Sequence, residues 1–275
     1  MPLTPPTFRA ADGHLAIGNQ LGPLASMIGT WMGTGWSVIA VPQAGKPNQF
    51  TLKVNPFIET LEFSALAAAV PNRGQQEDEF LFGLQYHQRI ADAQTHAALH
   101  VETGMWLRQP SDQPDRIIRQ SVIPHGDSLL AMGSAFSVQG GPQIDDTSSL
   151  PVTGPGMPLG YTDPYLVPRT DGFNVINPNQ FLKDGFEGQT ITHTFAFVVD
   201  TANSGGILNI PFIGKNANAT ALSATFWTET VQAEGSDTFQ QLQYTQQINI
   251  EFFERPDKTG LIMWPHITVA TLVKQ

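Results

Sequence analysis

The chain has seven histidines and no cysteine, so any metal it binds must be held by nitrogen or oxygen ligands. One histidine stands near the end, in Trp264-Pro265-His266, and is followed by Ile267-Thr268-Val269-Ala270-Thr271-Leu272-Val273. The β-branched residues of that tail predict a strand. On a strand, His266, Thr268, Ala270 and Leu272 share one face, and Ile267, Val269, Thr271 and Val273 share the other. Small residues beside the imidazole leave room for a flat ligand. A neutral imidazole is a standard iron ligand, and a single axial one leaves the opposite coordination position open. The alternative is a buried histidine bonded to a backbone carbonyl.

His100 and Glu102 are two residues apart and face the same side of a predicted strand, where they read either as an internal hydrogen-bonded pair, the favoured reading, or as an outward, solvated one. His87 follows Tyr86 and is a second pocket-lining candidate. His125, in Ile123-Pro124-His125-Gly126, reads as a solvated turn residue. No spacing among these suggests a zinc site, and neither a nucleophile elbow nor a phosphate-binding loop is present. The acidic runs Asp145-Asp146 and Glu77-Asp78-Glu79 lack calcium-loop spacing and read as solvated charge.

The elements that must position these residues read as β. Leu21, Leu24, Ala25 and Ile28 recur at helical spacing, which predicts one short helix ended by Gly29. From Trp31 the pattern changes. Strands are predicted at Phe50–Val54, Glu59–Phe63, Glu79–Tyr86, Leu99–Trp106, Arg116–Ile123, Leu129–Val138, Thr190–Val199, Ala221–Val231, Phe239–Phe253 and Ile267–Val273. Gly205-Gly206 and Glu234-Gly235 read as turns. Residues 140–188 carry no period and many prolines and glycines, and read as a lid or an insertion. Asn177-Pro178-Asn179 and Asn209-Ile210-Pro211-Phe212 read as rigid turns at a barrel mouth. The simplest architecture is all-β: an antiparallel closed barrel of about ten strands, with a short N-terminal helix and a long irregular insertion at about 140–188. Closure removes sheet edges, and such a barrel can hold one small ligand. Residues 1–20 read as a leader and 21–275 as a single barrel domain.

Composition narrows the function classes. Charged residues are 14% of the chain and the net charge is −10, which argues against nucleic-acid phosphates and anionic membranes as partners. The first residues lack the basic and apolar regions of a secretory signal, and no apolar run reaches the ~20 residues of a membrane span. The chain reads as soluble and cytoplasmic.

Near the start stands Gly29-Thr30-Trp31-Met32-Gly33-Thr34-Gly35, in which the three glycines share a face with Trp31. Side-chain-free positions permit sharp coiling or close approach of a ligand, and Trp31 would plug the barrel beneath the helix. This G-x-W-x-G-x-G run resembles the signature of the nitrobindins, haem-binding β-barrels related in fold to fatty-acid-binding proteins. Leu21-Gly22-Pro23-Leu24-Ala25 is similar to the helix that introduces their motif. Leu99-His100-Val101-Glu102-Thr103-Gly104-Met105-Trp106 resembles their internal H-x-E-x-G segment, and Pro265-His266 the segment carrying their axial ligand. The chain is much longer than one such barrel, so 140–188, and also 200–245, read as inserted.

The resemblance implies haem b as cofactor. It implies His266 as the metal ligand, and Gly29, Trp31, Gly33, Gly35 and His100 as cofactor-binding residues. It implies a small distal ligand such as NO, and handling of reactive nitrogen or peroxide species, either as a peroxynitrite isomerase or as a weak peroxidase. A homodimer is an admissible assembly. Two other readings stand beside it: a lipocalin- or fatty-acid-binding-like carrier of a hydrophobic small molecule without haem, and a non-haem barrel enzyme with 140–188 as its lid.

Overall fold

The computed structural model describes residues 19–275 except 67, 111–114, 157, 159, 203 and 234–236. Most of the expected leader (1–18) and the Glu234-Gly235 turn therefore lie outside the described residues. Among the described residues twelve strands form: β1 (Gly29–Pro42), β2 (Phe50–Ala65), β3 (Val70–Asn72), β4 (Glu79–Asp92), β5 (Ala98–Gln109), β6 (Arg116–Ile123), β7 (Asp127–Gln139), β8 (Thr190–Asp200), β9 (Gly206–Asn209), β10 (Asn218–Gln232), β11 (Thr238–Glu254) and β12 (Leu261–Lys274). All pairings are antiparallel. The order runs β2-β1-β12-β11-β10-β8-β7-β6-β5-β4, and β2 pairs with β4 to close the ring. The result is a ten-stranded closed barrel; β3 pads β4 and β9 pads β7.

Alternation dictates which residues fill the barrel. Trp31, Leu61, Leu84, Trp106, Ile117, Phe197, Phe226 and Leu272 point inward and form the largest apolar cluster. One end is sealed by a 3₁₀ helix, Gly22–Met27, whose Leu24 and Met27 are fully buried. Pro23 lacks an amide proton and Gly22 sits at φ +54°, so the predicted helix is tightened and short. Beneath it the Trp31 indole donates to Met27 O at 2.7 Å.

Gly33 and Gly35 stand where β1 crowds β12. A Cβ on Gly33 would lie 2.1 Å from Thr271 O. One on Gly35 would lie 2.3 Å from Val269 O and 2.4 Å from the Phe57 ring. These glycines allow close strand approach and seat Phe57.

The 140–188 segment is not a lid. It clads the outside of the barrel, where Ile144, Tyr165, Phe173, Val175 and Leu182 pack on Val38, Ala196, Trp227, Ile267 and Val269. It contains two short helices, Asp163–Leu166 and Gln180–Asp184, and a bridge between Val152 and Met263. Asn177-Pro178-Asn179 belongs to this cladding: Asn179 Nδ2 donates to Asp145 O at 2.9 Å. It does not rim the mouth. The 200–245 region is not inserted either, since β10 and the start of β11 are barrel strands. The Asn209–Phe212 segment leads into the helix Pro211–Asn216, and Ile207 and Ile213 on either side of it line the cavity.

Candidate functional site

The barrel opens at the end away from Trp31 into a cavity of about 480 Å³, within the usual range for a small-molecule site. Its walls are mostly apolar, with Ile39, Ile90, Leu99, Ile123, Leu129 and Ile248 among them. Polar side chains also enter it, among them Ser37, His100, Tyr244 and His266.

His266 lines the cavity from β12. Its Nε2 is 3.1 Å from Ser37 Oγ on β1 and 3.5 Å from Thr268 Oγ1; no hydrogen bond among the described residues engages Nδ1. Burial in the wall, reinforced by the nearby His100 and His125, pulls the imidazole pKa down to about 4. His266 is therefore neutral at physiological pH, as a metal ligand must be. Its neighbours on the strand follow the expected parity: Ala270 and Leu272 join the inner cluster, Ile267 and Val269 the outer one.

His100 and His125 also line the cavity, with ring centroids 5.7 Å apart. Around the ring, β5 lies four strands from β12 in one direction and six in the other, so these imidazoles face His266 across the lumen. His100 Nε2 is 3.2 Å from Glu102 Oε2, the internal pair read from the sequence. His125 occupies its predicted turn and is exposed, yet it borders the cavity as well. Asp127, two residues on at the start of β7, lines the same wall; its Oδ1 is buried without a hydrogen bond among the described residues. His87 points to the outer face of β4, opposite in parity to Tyr86 and Gln88, and is not part of the lining. Gly29, Trp31, Gly33 and Gly35 also fall outside the lining. They close the barrel below the cavity.

Behind His100 lies a buried ionic network. Arg119 Nη2 donates to Glu102 Oε1 at 2.8 Å, its Nη1 to Gln246 Oε1 at 2.6 Å, and its Nε to Tyr86 Oη at 3.3 Å; Tyr86 Oη donates to Glu102. Burial pushes the Glu102 carboxyl up, but Arg119 and His100 outweigh it and hold it well below the usual carboxylate range. Arg119 also lies over the Trp106 and Phe226 rings at 5.6 and 5.4 Å. A second network contains Glu59, Gln88 and Tyr244. Sequence reading missed Arg119, Glu59 and Tyr244. The available signal was parity: Arg119 alternates with Ile117 and Ile123, and Glu59 with Phe57 and Leu61, so charged residues occupy inward positions.

Residues 20–148 match the profile of the THAP4-like, heme-binding beta-barrel domain. The matched segment is just under half of the chain. It carries β1 to β7, with His100, Glu102, Tyr86 and Arg119, while Gln246 and His266 lie beyond it. No curated protein matches the chain. Among solved structures, the chain is similar to the crystal structure of Rv2717c from M. tuberculosis, at 16% identity, over 94% of this chain and 97% of that one, with a TM-score of 0.47.

The cavity suits the family's cofactor. Apolar walls match a porphyrin face, a neutral imidazole is oriented by two hydroxyls, and the exposed Lys53 at the rim matches a carboxylate side chain. No helix among the described residues is long and apolar enough to cross a membrane.

Proposed function

We propose that the cavity holds haem b with His266 as its single axial ligand, and that the bound group takes NO or handles reactive nitrogen or peroxide species. The observation that carries this reading is His266 itself: a neutral imidazole directed into an apolar cavity, in a barrel whose first half matches a haem-binding family. Bound haem would supply an iron with one open coordination position. The chain's own contributions are distinct. Ser37 and Thr268 orient the His266 ring, Lys53 meets a carboxylate at the rim, and the isoleucine-rich wall excludes water. His100, fixed by Glu102, stands across the lumen as a hydrogen-bonding group for a small molecule held there. We place the protein in the cytoplasm on its lack of cysteine and its acidic composition.

Titration of the apoprotein with hemin tests the reading. A Soret band distinct from that of free hemin, saturating at one equivalent, is the expected result. His266→Ala should still admit hemin in part, because burying the macrocycle is itself favourable. Its ferric spectrum should change, and added imidazole should restore it. No change in the hemin spectrum on adding wild-type protein would favour the carrier reading. In that case fatty-acid uptake should be indifferent to His266→Ala.

A further inference from the structure

Two carboxylates lie deep inside the barrel, and their company differs. Glu102 is ion-paired with Arg119. Glu59 is 2% exposed, and no Lys or Arg among the described residues is bonded to it. Its Oε1 accepts from Gln88 Nε2 at 2.7 Å and its Oε2 from Tyr244 Oη at 2.7 Å; Gln88 Nε2 also lies 3.3 Å from Tyr244 Oη. Gln88 and Tyr244 both line the cavity, whereas Glu59 sits one residue behind it. Tyr244 is fixed by stacking on Phe226, with centroids 4.8 Å apart and planes 17° apart.

A buried carboxyl without a countercharge favours its protonated form. Burial pushes Glu59 up to about 7 against the opposing bonds from Tyr244 and Gln88. The other charged and titratable groups facing this network are His100, which favours the anion, Glu102, which opposes it, and Arg119, which acts on Tyr244. A protonated carboxyl donates, and a tyrosine hydroxyl can accept one proton while giving its own. When Glu59 carries a proton, it can donate to Tyr244 Oη, whose own O–H then turns to the lumen.

We propose that Glu59 is an internal proton donor to the cavity, acting through the Tyr244 hydroxyl on a negatively charged atom of a bound small anion. The step balances without any redox partner. The Tyr244 O–H bond breaks as its proton passes to the anion, and the Glu59 O–H bond breaks as its proton passes to Tyr244. Glu59 is left as a carboxylate that accepts from Gln88 and Tyr244, as in the geometry described, and solvent restores the proton. The role rests on the haem reading, since haem iron is what would hold the anion there.

Two measurements test it. In the apoprotein at pH 6, infrared spectroscopy should show the carbonyl stretch of a buried protonated carboxylic acid that fades as pH rises to 8. The isosteric Glu59→Gln should lose the component that titrates near pH 7 and keep only the later-titrating band of Glu229, with its melting temperature as a control for folding. In the hemin-loaded ferric protein, azide is the probe. Between pH 6 and pH 8 wild-type azide affinity should fall about tenfold more than that of Glu59→Gln, because only wild type loses a donor and gains a charge over that range. His100, His125, Asp127 and Lys53 are common to both proteins and cancel in the comparison. Tyr244→Phe should bind azide weakly at both pH values. A band unchanged by Glu59→Gln, or parallel azide profiles in wild type and Glu59→Gln, would overturn the role while leaving haem binding intact. A band present with no hemin uptake would overturn the haem reading and this role with it.

Discussion

Trp36 and Phe173 are stacked nearly face to face, with ring centroids 4.3 Å apart and planes at 12°. The first belongs to the barrel wall and the second to the cladding, and Arg169 covers the same indole at 5.4 Å. Phe173→Ala should cost about 3 kcal/mol, because it opens a cavity at a buried aromatic contact. Hemin affinity should stay within twofold of wild type, since no described residue of 140–188 lines the cavity. Urea unfolding and hemin titration of the same preparation check both halves. A large loss of hemin affinity in a folded variant would return the segment to the role of lid.

Arg119→Met should be among the most damaging single changes. It strips the countercharge from Glu102, which is fully buried, and breaking such a pair on one side typically costs about 3–5 kcal/mol. Adding Glu102→Gln to Arg119→Met should recover most of that loss. A double-mutant cycle by urea denaturation measures the coupling, and additive losses would mean that the pair is not coupled.

Gly35→Val should lower the melting temperature sharply. The new side chain has to displace the Val269 carbonyl or the Phe57 ring, and overpacking of this kind typically costs about 1–3 kcal/mol or more. Phe57 also lines the cavity, so hemin affinity should fall together with stability. A differential scanning measurement with and without hemin would show both. An unchanged pair of values would mean that β1 and β12 can separate at no cost.

Much of this architecture was legible as alternation. Arg116–Ile123 forms over the predicted residues, and Phe50–Val54 and Glu59–Phe63 proved to be two parts of one strand because Asn55 and Pro56 do not interrupt the pairing with β1. His266 was legible because its strand parity separates Ala270 and Leu272 from Ile267 and Val269. The seat of the cladding was not. Its anchors, Ile144, Phe173, Val175 and Leu182, are irregularly spaced single residues, and an aperiodic segment does not reveal which surface it covers. The polar interior was hidden for another reason. Glu59, Glu102 and Arg119 are far apart in sequence, and only barrel closure brings their inward positions together.

His266 and Glu59 should pull stability in opposite directions with pH. The folded His266 titrates at about 4, below its ordinary 6.5, so the unfolded chain binds more protons in that window. Stability from this group therefore rises with pH between about 4 and 6.5, by up to about 3 kcal/mol. Glu59 titrates at about 7 when folded, above its ordinary 4.5, so its contribution is complete at low pH and is lost as pH rises through 7. Relative to wild type, urea midpoints between pH 4.5 and 6.5 should tilt upward with pH in Glu59→Gln and downward with pH in His266→Gln. Identical profiles for the two variants would contradict the assignment.

Glu229 offers the same sign from outside the barrel. It is fully buried between wall and cladding, bonded to Gln241 Nε2 at 2.7 Å, with Oε1 unpartnered among the described residues. Burial pushes it up to about 8, so its stabilising contribution is lost as pH rises through that value. Glu229→Gln should be more stable than wild type at pH 9 and close to it at pH 6, measured by thermal melting. Greater stability at pH 6 than at pH 9, relative to wild type, would refute this.

The barrel wall is supported unevenly. The strands that carry His266 are pressed between the lumen and a second apolar layer, whereas Val101, Met105 and Val122 on the facing strands are 37%, 39% and 57% exposed. Breathing of the cylinder is therefore one-sided. Amides of β12 should exchange with solvent only on global unfolding, while those of β5 and β6 open locally and much more often. Guests would come and go past His125, and the imidazole they leave behind would hardly move.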